Sequence, residues 1–404
     1  MRVLLVGGKF SFPRGEAATA RVKAIALGLK EGGYDVEVVV TQVTERDTSS
    51  AINRVAKGIW NGIPFRYLTG SPIRAGSFWR RRWIQLVSHV RLIKMVRRCT
   101  RDGIGAILSF SMTSILLPIC LRIGLAGNNV PIIFDACEIP FPYERDQRGI
   151  KKTYQTFYER FFYHSYDGFF VISEYLRKYY GQRCRRNARF VDLPILVEYE
   201  RFSSAMPRSS GSRPYLLYSG AIAPAKGVGD LLEAFIELAP RHKTLRLLIT
   251  GRRESPFAAE LADRAMGTGV GDRVEFTGLL SDEDFPGMVA GATVLVMPSR
   301  RGPFSDAAFP TKFGEYLASG RPVVCTNVGE IGRFIQSGES AYLAEPDCPA
   351  SLGACLEEIL RDPDAANRVG RRGQEVAKHH FDYRVVVPRL VEMIKEMAAG
   401  TSEN

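Results

Sequence analysis

Phe309-Pro-Thr-Lys-Phe-Gly-Glu-Tyr-Leu-Ala-Ser-Gly-Arg-Pro-Val-Val324 joins a helix to a strand, and the same succession recurs along the chain. Pro310 sets the start of a predicted helix through Ser319, Gly320 and Pro322 stop it, and Val323-Val324-Cys325 begins an apolar strand. Thr311, Lys312 and Glu315 fall at the helix start. Free amides there, with one cation and one carboxylate, suit a ligand that carries both phosphate and hydroxyl groups.

The stretch is one turn of an alternating α/β rhythm. Before it, strand patterns at Tyr215 to Ser219, Leu245 to Thr250, Val274 to Thr277 and Thr293 to Met297 alternate with helical ones at Asp230 to Leu238 and Glu260 to Ala265. The first half opens the same way, with Val3 to Val6, a loop from Gly7 to Glu16, a helix over Ala17 to Lys30 and a strand over Asp35 to Thr41. Such β-loop-α-β units build parallel sheets covered by helices. A chain of 404 residues exceeds one core. The expected architecture is therefore α/β, with two doubly wound, Rossmann-like domains facing a central cleft. Residues 1–202 form the first domain, the breaker-rich stretch 203–214 is a linker, 215–382 form the second domain, and 383–404 are a C-terminal helix and tail packing across.

Charge divides unequally. Residues 1–210 hold 33 Lys and Arg against 17 Asp and Glu, a charge of +16, while 211–404 hold 22 against 26, a charge of −4, which leaves the chain at +12. A basic half attracts polyanions, among them an anionic membrane surface. Seven cysteines without paired short spacing argue against a disulfide framework and for a cytoplasmic setting. The N-terminal apolar run is short and closes on glycine, so it reads as a buried strand and not as a signal peptide.

Two first-half segments carry aromatic or basic patterns. From Ser77 to Arg101, Trp79, Trp83, Leu86, Val90 and Ile93 share one helical side, with arginines largely elsewhere. Two readings stay open, a helix lying on an anionic bilayer and a core-packing helix with a basic outer face. The stripe Tyr154, Phe157 and Phe161 reads as core and not as a stacking platform.

Candidate site residues cluster at strand ends. Gly8 and Gly15 bracket a loop with two open readings, one that lets a ligand approach the backbone and one of plain tight-turn chemistry; G-x-G-x-x-G is absent. Asp135 and Glu138 follow the strand Pro131 to Phe134, where open α/β sheets place their ligands, and read either as site residues or as helix-capping or solvated loop carboxylates. In the second half, Gly220 to Gly227 offers amides and Lys226, Gly251 is followed by Arg252 and Arg253, and Thr311, Lys312 and Glu315 complete the set. The cations suit a diphosphate and the carboxylate accepts from ribose hydroxyls.

With these residues in view, the chain resembles the GT-B-fold glycosyltransferases, group 4, which retain anomeric configuration. The resemblance rests on Val-Gly-Gly with its following helix, Val-Ile-Ser173-Glu, Leu-Pro194 through Phe202, Tyr-Ser-Gly220 through Lys226-Gly227 and, most specifically, the stretch quoted first. It implies transfer of a sugar from a UDP- or GDP-sugar to a saccharide or lipid-linked acceptor, as in polysaccharide or glycolipid synthesis. It further implies that Glu315 grips the donor ribose, that Lys226 meets the diphosphate, and that no metal or other cofactor takes part. Catalytic roles are expected at Lys226, Glu138 and Asp135, and donor contacts at Gly8, Gly15, Gly220, Lys226, Arg252, Thr311, Lys312 and Glu315.

Three positions depart from the family pattern. Ala307, beside Asp306, stands where the first glutamate of E-x7-E is expected, Ala221 where an arginine often follows the loop glycine, and Cys137 where Asp-x-His-Glu has histidine. Arg252, expected at a neighbouring strand end, is the candidate to supply the cation missing at Ala221. These departures motivate an alternative, a noncatalytic GT-B scaffold that binds a nucleotide or a partner subunit. No nucleic-acid recognition module accompanies the basic half, so nucleic acid is not expected as a partner.

Overall fold

A computed structural model describes residues 1–110, 116–139, 156–208 and 213–399. The chain forms two compact units, Met1–Leu196 with Tyr383–Asn404, and Val197–Asp382.

In the first unit, the described strands are β1 (Arg2–Gly7), β2 (Asp35–Val40), β3 (Lys57–Trp60), β4 (Ile63–Tyr67), β5 (Ile104–Phe110), β6 (Ile132–Ala136), β7 (Gly168–Val171) and β8 (Arg189–Asp192). Their order is β3-β4-β2-β1-β5-β6-β7-β8, parallel throughout except for the β3–β4 hairpin. β1 pairs with β2 on one side, Val3 opposite Val36, and with β5 on the other, Val3 opposite Ala106. The winding therefore reverses at β1, and the loop after Gly7 lies at the switch point where such sheets bind ligands. Gly7 is required there, because a Cβ would overlap the Phe110 carbonyl oxygen.

Helix Ala17–Glu31 buries Val22, Ile25 and Leu29 in this core, and the C-terminal helix Tyr383–Ala399 buries Val386, Val387, Leu390 and Ile394 beside it. Gly28 permits the approach, since a Cβ would stand 2.7 Å from Val387 Cβ. Each such aliphatic side chain contributes about 1.5–3 kcal/mol on burial, before entropy. The C-terminal helix thus completes the first unit's core.

In the second unit, β9 (Tyr215–Ser219), β10 (Arg246–Thr250), β11 (Val274–Gly278), β12 (Val294–Met297), β13 (Val323–Thr326) and β14 (Tyr342–Ala344) run in the order β11-β10-β9-β12-β13-β14, all parallel. Here the reversal falls between β9 and β12. The expected doubly wound α/β architecture is present in both units.

Three expectations are corrected. The units meet the chain at Leu196–Val197 and Asp382–Tyr383 and not along 203–214. Residues 203–208 belong to the second unit, where the Arg208 amide donates to the Gly287 carbonyl at 2.9 Å, and 209–212 lie outside the described residues. The aromatic stripe is not core: Phe157 and Phe161 are 54% and 55% exposed and Tyr154 lies outside the described residues. A π-helical turn at Tyr158–Phe162 shifts the buried side to Tyr158, Phe162, Tyr163 and Tyr166, which pack with Phe134, Phe169 and Tyr180. Finally, helix Phe78–Arg101 buries Ser88, Leu92, Val96 and Cys99, and turns Trp79, Trp83, Leu86 and Val90 to solvent. That exposure removes the core-packing reading of the stripe.

Candidate active site

Helix Thr311–Ala318 begins at Pro310, whose φ of −66° and extended ψ lead straight into the helix with no side chain capping it. Its first turn presents Thr311 and Lys312. Glu315, one turn on, is only 8% exposed. Lys312 Nζ donates to Glu315 Oε2 at 2.7 Å and lies 3.7 Å from the centre of the Phe285 ring. The ring supports the ammonium from one side and the carboxylate neutralises it from the other. Lys312 therefore holds Glu315 in place in this structure.

The loop after β9 is shaped by glycines. The Gly220 amide donates to the Thr250 carbonyl at 3.0 Å, and a Cβ on Gly251 would overlap the Gly220 carbonyl oxygen, so the ends of β9 and β10 touch through backbone alone. Pro224–Lys226 makes a 3₁₀ turn, and Gly227 ends it with φ +68°, a conformation that side chains rarely adopt. A Cβ on Gly227 would also collide with the Pro298 carbonyl. Lys226 Nζ lies 4.5 Å from the centre of the Phe304 ring. Arg252 follows Gly251 as an exposed cation, and Ser255 caps the next helix by accepting from the Ala258 amide at 3.1 Å.

Sequence reasoning passed over the loop after β12, yet it locks the site. The Arg300 amide donates to the Ala225 carbonyl at 3.3 Å, and Arg300 Nε donates to buried Asp230 at 2.8 Å, with Nη2 reaching the other carboxylate oxygen. Hydrogen bonding to Asp230 raises the Arg300 guanidinium above its ordinary value. This clamp joins loop 224–227, the helix after it and the β12 end. A cation after a strand was visible in the sequence, but its partner Asp230 is 70 residues away. Tyr316 closes the floor: its buried hydroxyl lies against the Ser219 backbone, and burial pushes the phenol well up. The fold thus gathers the three expected loops with a fourth.

Ala307 is 3% exposed at the end of helix Pro303–Ala307. Gly329, at φ +57°, packs against the Ala308 carbonyl from the loop after β13. The position that carries a glutamate in the family pattern is here a small packed side chain.

In the first unit, loop 8–16 is held from several sides. Tyr67 bonds the Phe12 amide at 2.8 Å, and Asn53 bonds both the amide and the carbonyl of Arg14. Gly15 is required by its own loop, since a Cβ would overlap Thr19 and Ser11, whereas a Cβ on Gly8 would meet only the Gln42 side chain. Asp135 accepts from Arg21 Nε with both oxygens, at 3.0 and 3.3 Å, while Arg21 also donates to the carbonyls of Pro194 and Leu193. Burial raises the Asp135 carboxyl and Arg21 opposes it. This buried pair ties helix Ala17–Glu31, the β6 end and the segment after β8, which gives Asp135 a structural part. Burial, then the neighbouring Asp135 carboxylate, push the Cys137 thiol well above its ordinary value. Glu138 is exposed, and its backbone carbonyl accepts from the Tyr180 hydroxyl at 2.7 Å. The segment 140–142 that was expected to continue this loop lies outside the described residues.

Comparison with known proteins agrees with this geometry. Residues 213–362 match the family model described as glycosyl transferases group 1. Mannosylfructose-phosphate synthase of Agrobacterium fabrum is 30% identical over 186 residues, 45% of this chain and 40% of that protein. A GDP-mannose-dependent alpha-(1-6)-phosphatidylinositol monomannoside mannosyltransferase of Mycolicibacterium smegmatis is 27% identical over 233 residues, covering 55% of this chain and 60% of that protein. The chain spans about half the length of the curated relatives it matches. Among solved structures, sucrose-phosphate synthase from Thermosynechococcus elongatus superposes with a TM-score of 0.74 at 17% identity, covering 99% of both chains. Anabaena HepE in complex with UDP and glucose gives 0.71 at 15% identity over 98% of this chain and all of that one. At such identities the likeness establishes the fold. Residues 213–362 thus resemble the group 1 glycosyl transferases, and the chain has the GT-B fold of these solved structures.

Proposed function

We propose that the chain transfers a sugar from a UDP- or GDP-sugar to a saccharide or lipid-linked acceptor, with retention at the anomeric carbon and without a metal ion. The observation that carries this reading is the loop cluster around β9 and helix Thr311–Ala318. It combines backbone approach at Gly220 and Gly251 with Lys226, Arg252 and the oriented Glu315. The solved HepE complexes with UDP, and with UDP-glucose, support a nucleotide-sugar donor by similarity of fold.

In this reading Glu315 accepts from the ribose hydroxyls through the oxygen that Lys312 leaves open. The amides of Thr311 and Lys312 face the diphosphate. Lys226 leaves the Phe304 face to meet the charge that grows on the leaving diphosphate, with Arg252 supplying the cation that Ala221 lacks. In the first unit, a neutral Cys137 thiol and exposed Glu138 stand at the β6 end. Asp135 acts through Arg21, by fixing that loop.

The test is mass spectrometry of products from a panel of UDP- and GDP-sugars offered to simple saccharide and lipid acceptors, with and without EDTA. Transfer that survives EDTA, with NMR showing the donor's anomeric configuration in the product, supports the proposal. Nucleotide binding without turnover on every acceptor instead supports the scaffold reading, which the small side chain at Ala307 favours.

A further inference from the structure

The donor loops leave one exposed face of the first unit without an explanation. At about 100° per residue, Trp79, Trp83, Leu86 and Val90 share one side of helix Phe78–Arg101, and Arg97 and Arg101 continue that side toward its C-terminus. The four apolar residues are 79%, 65%, 57% and 45% exposed. Helix Leu116–Leu125 packs alongside through Gly124, where a Cβ would lie 2.8 Å from Val96 Cβ, and exposes its own stripe of Leu116, Ile119 and Ile123. Two neighbouring helices thus both turn apolar stripes outward.

The charge around them has one sign. Between Asp47 and Asp102 the chain holds 12 Lys and Arg and not one Asp or Glu. On one flank of the helix a cavity of about 720 Å³ is lined by Arg2, Lys57, Arg66, Arg91, Lys94 and Arg98, opposed by Glu37 and Asp102. Glu37 is already paired with Arg2 and Arg66, so the cavity stays cationic. Among the described residues no helix is long and apolar enough to cross a membrane.

We propose that this face docks the first unit on an anionic phospholipid bilayer, with Trp79 and Trp83 at the interface and the flanking arginines on headgroup phosphates. A second copy would press one cationic face against another. A polynucleotide would leave Leu86, Val90 and Ile123 in water. A bilayer receives both parts, because tryptophan favours the interfacial layer and each basic residue near an anionic surface strengthens attachment. The proposal stands apart from the chemistry of transfer, since none of these residues belongs to the donor loops.

The chain has three tryptophans, so Trp60→Phe leaves Trp79 and Trp83 as the reporters. With vesicles of phosphatidylglycerol and phosphatidylcholine, their emission should shift to the blue and be quenched by brominated acyl chains. The double variants W79S/W83S and R97Q/R101Q should each weaken vesicle binding roughly tenfold or more, with unchanged far-UV circular dichroism and unchanged nucleotide binding. Equal binding to pure phosphatidylcholine vesicles, tryptophans that escape quenching, or vesicle binding indifferent to both double variants would overturn the proposal. Tighter retention of a single-stranded oligonucleotide than of anionic vesicles at about 0.15 M salt would also overturn it and assign the face to nucleic acid.

Discussion

Lys226 rests over an aromatic ring, and Glu315 is held by Lys312 in a nearly buried place; these two side chains carry the donor-binding reading. Lys226→Ala should lower transfer by about 10²–10³-fold, as loss of a single preorganised charge donor does, with circular dichroism unchanged. Initial rates at saturating donor would check it. Glu315→Gln keeps the shape and removes the charge, so donor KM should rise about tenfold or more, the scale of a charged hydrogen bond. Lys312→Met should raise the same KM by disordering Glu315 and also lower the melting temperature, because it leaves a buried carboxylate unpaired. Cys137 gives a pH prediction. Burial raises its thiol, so the stability the neutral form provides is fully present below the ordinary thiol value and is lost as pH rises from there through the raised value. Transfer rates between about pH 6 and 9 should therefore be the same shape in the wild type and Cys137→Ser.

At the scale of elements, the tight places are backbone contacts between strand ends. Gly227→Ala forces a side chain into φ +68° and into the Pro298 carbonyl, so the 3₁₀ turn that presents Lys226 must move. The expected cost is about 3 kcal/mol or more, read from urea denaturation followed by fluorescence. The sequence signalled a loop here through its Gly and Pro content, and the strand-loop-Lys-Gly pattern marked Lys226. It did not signal the Arg300–Asp230 clamp, because the pairing depends on β12 lying next to β9, and that adjacency exists only in the folded sheet. The aromatic segment failed for a different reason. A period of 3.6 placed Phe157 and Phe161 on the core side, but the π-helical turn changes the period locally and buries the adjacent residues instead.

Each unit has its own core, and ligand and stability effects should separate accordingly. Arg21→Met strips the buried Asp135 of its partner, so about 3–5 kcal/mol should be lost from the first unit, visible in thermal unfolding, while nucleotide affinity holds. UDP or GDP at about 100 times Kd should stabilise the second unit by about 2.7 kcal/mol, read as slowed hydrogen exchange at 219–227 and 298–316. What the sequence by itself determined is the alternation of strands and helices, the doubly wound class, and the loops that bear Gly220, Lys226, Arg252 and Glu315. Those features are local: period, breakers and helix starts act within a few residues. Only the tertiary structure decided that Lys312 belongs to Glu315 and Asp135 to Arg21, that the C-terminal helix joins the first unit, and that the Trp79 stripe faces solvent. An amphipathic pattern shows that a helix has two faces. Which face is buried is decided by the neighbours that strand order and chain crossing bring against it.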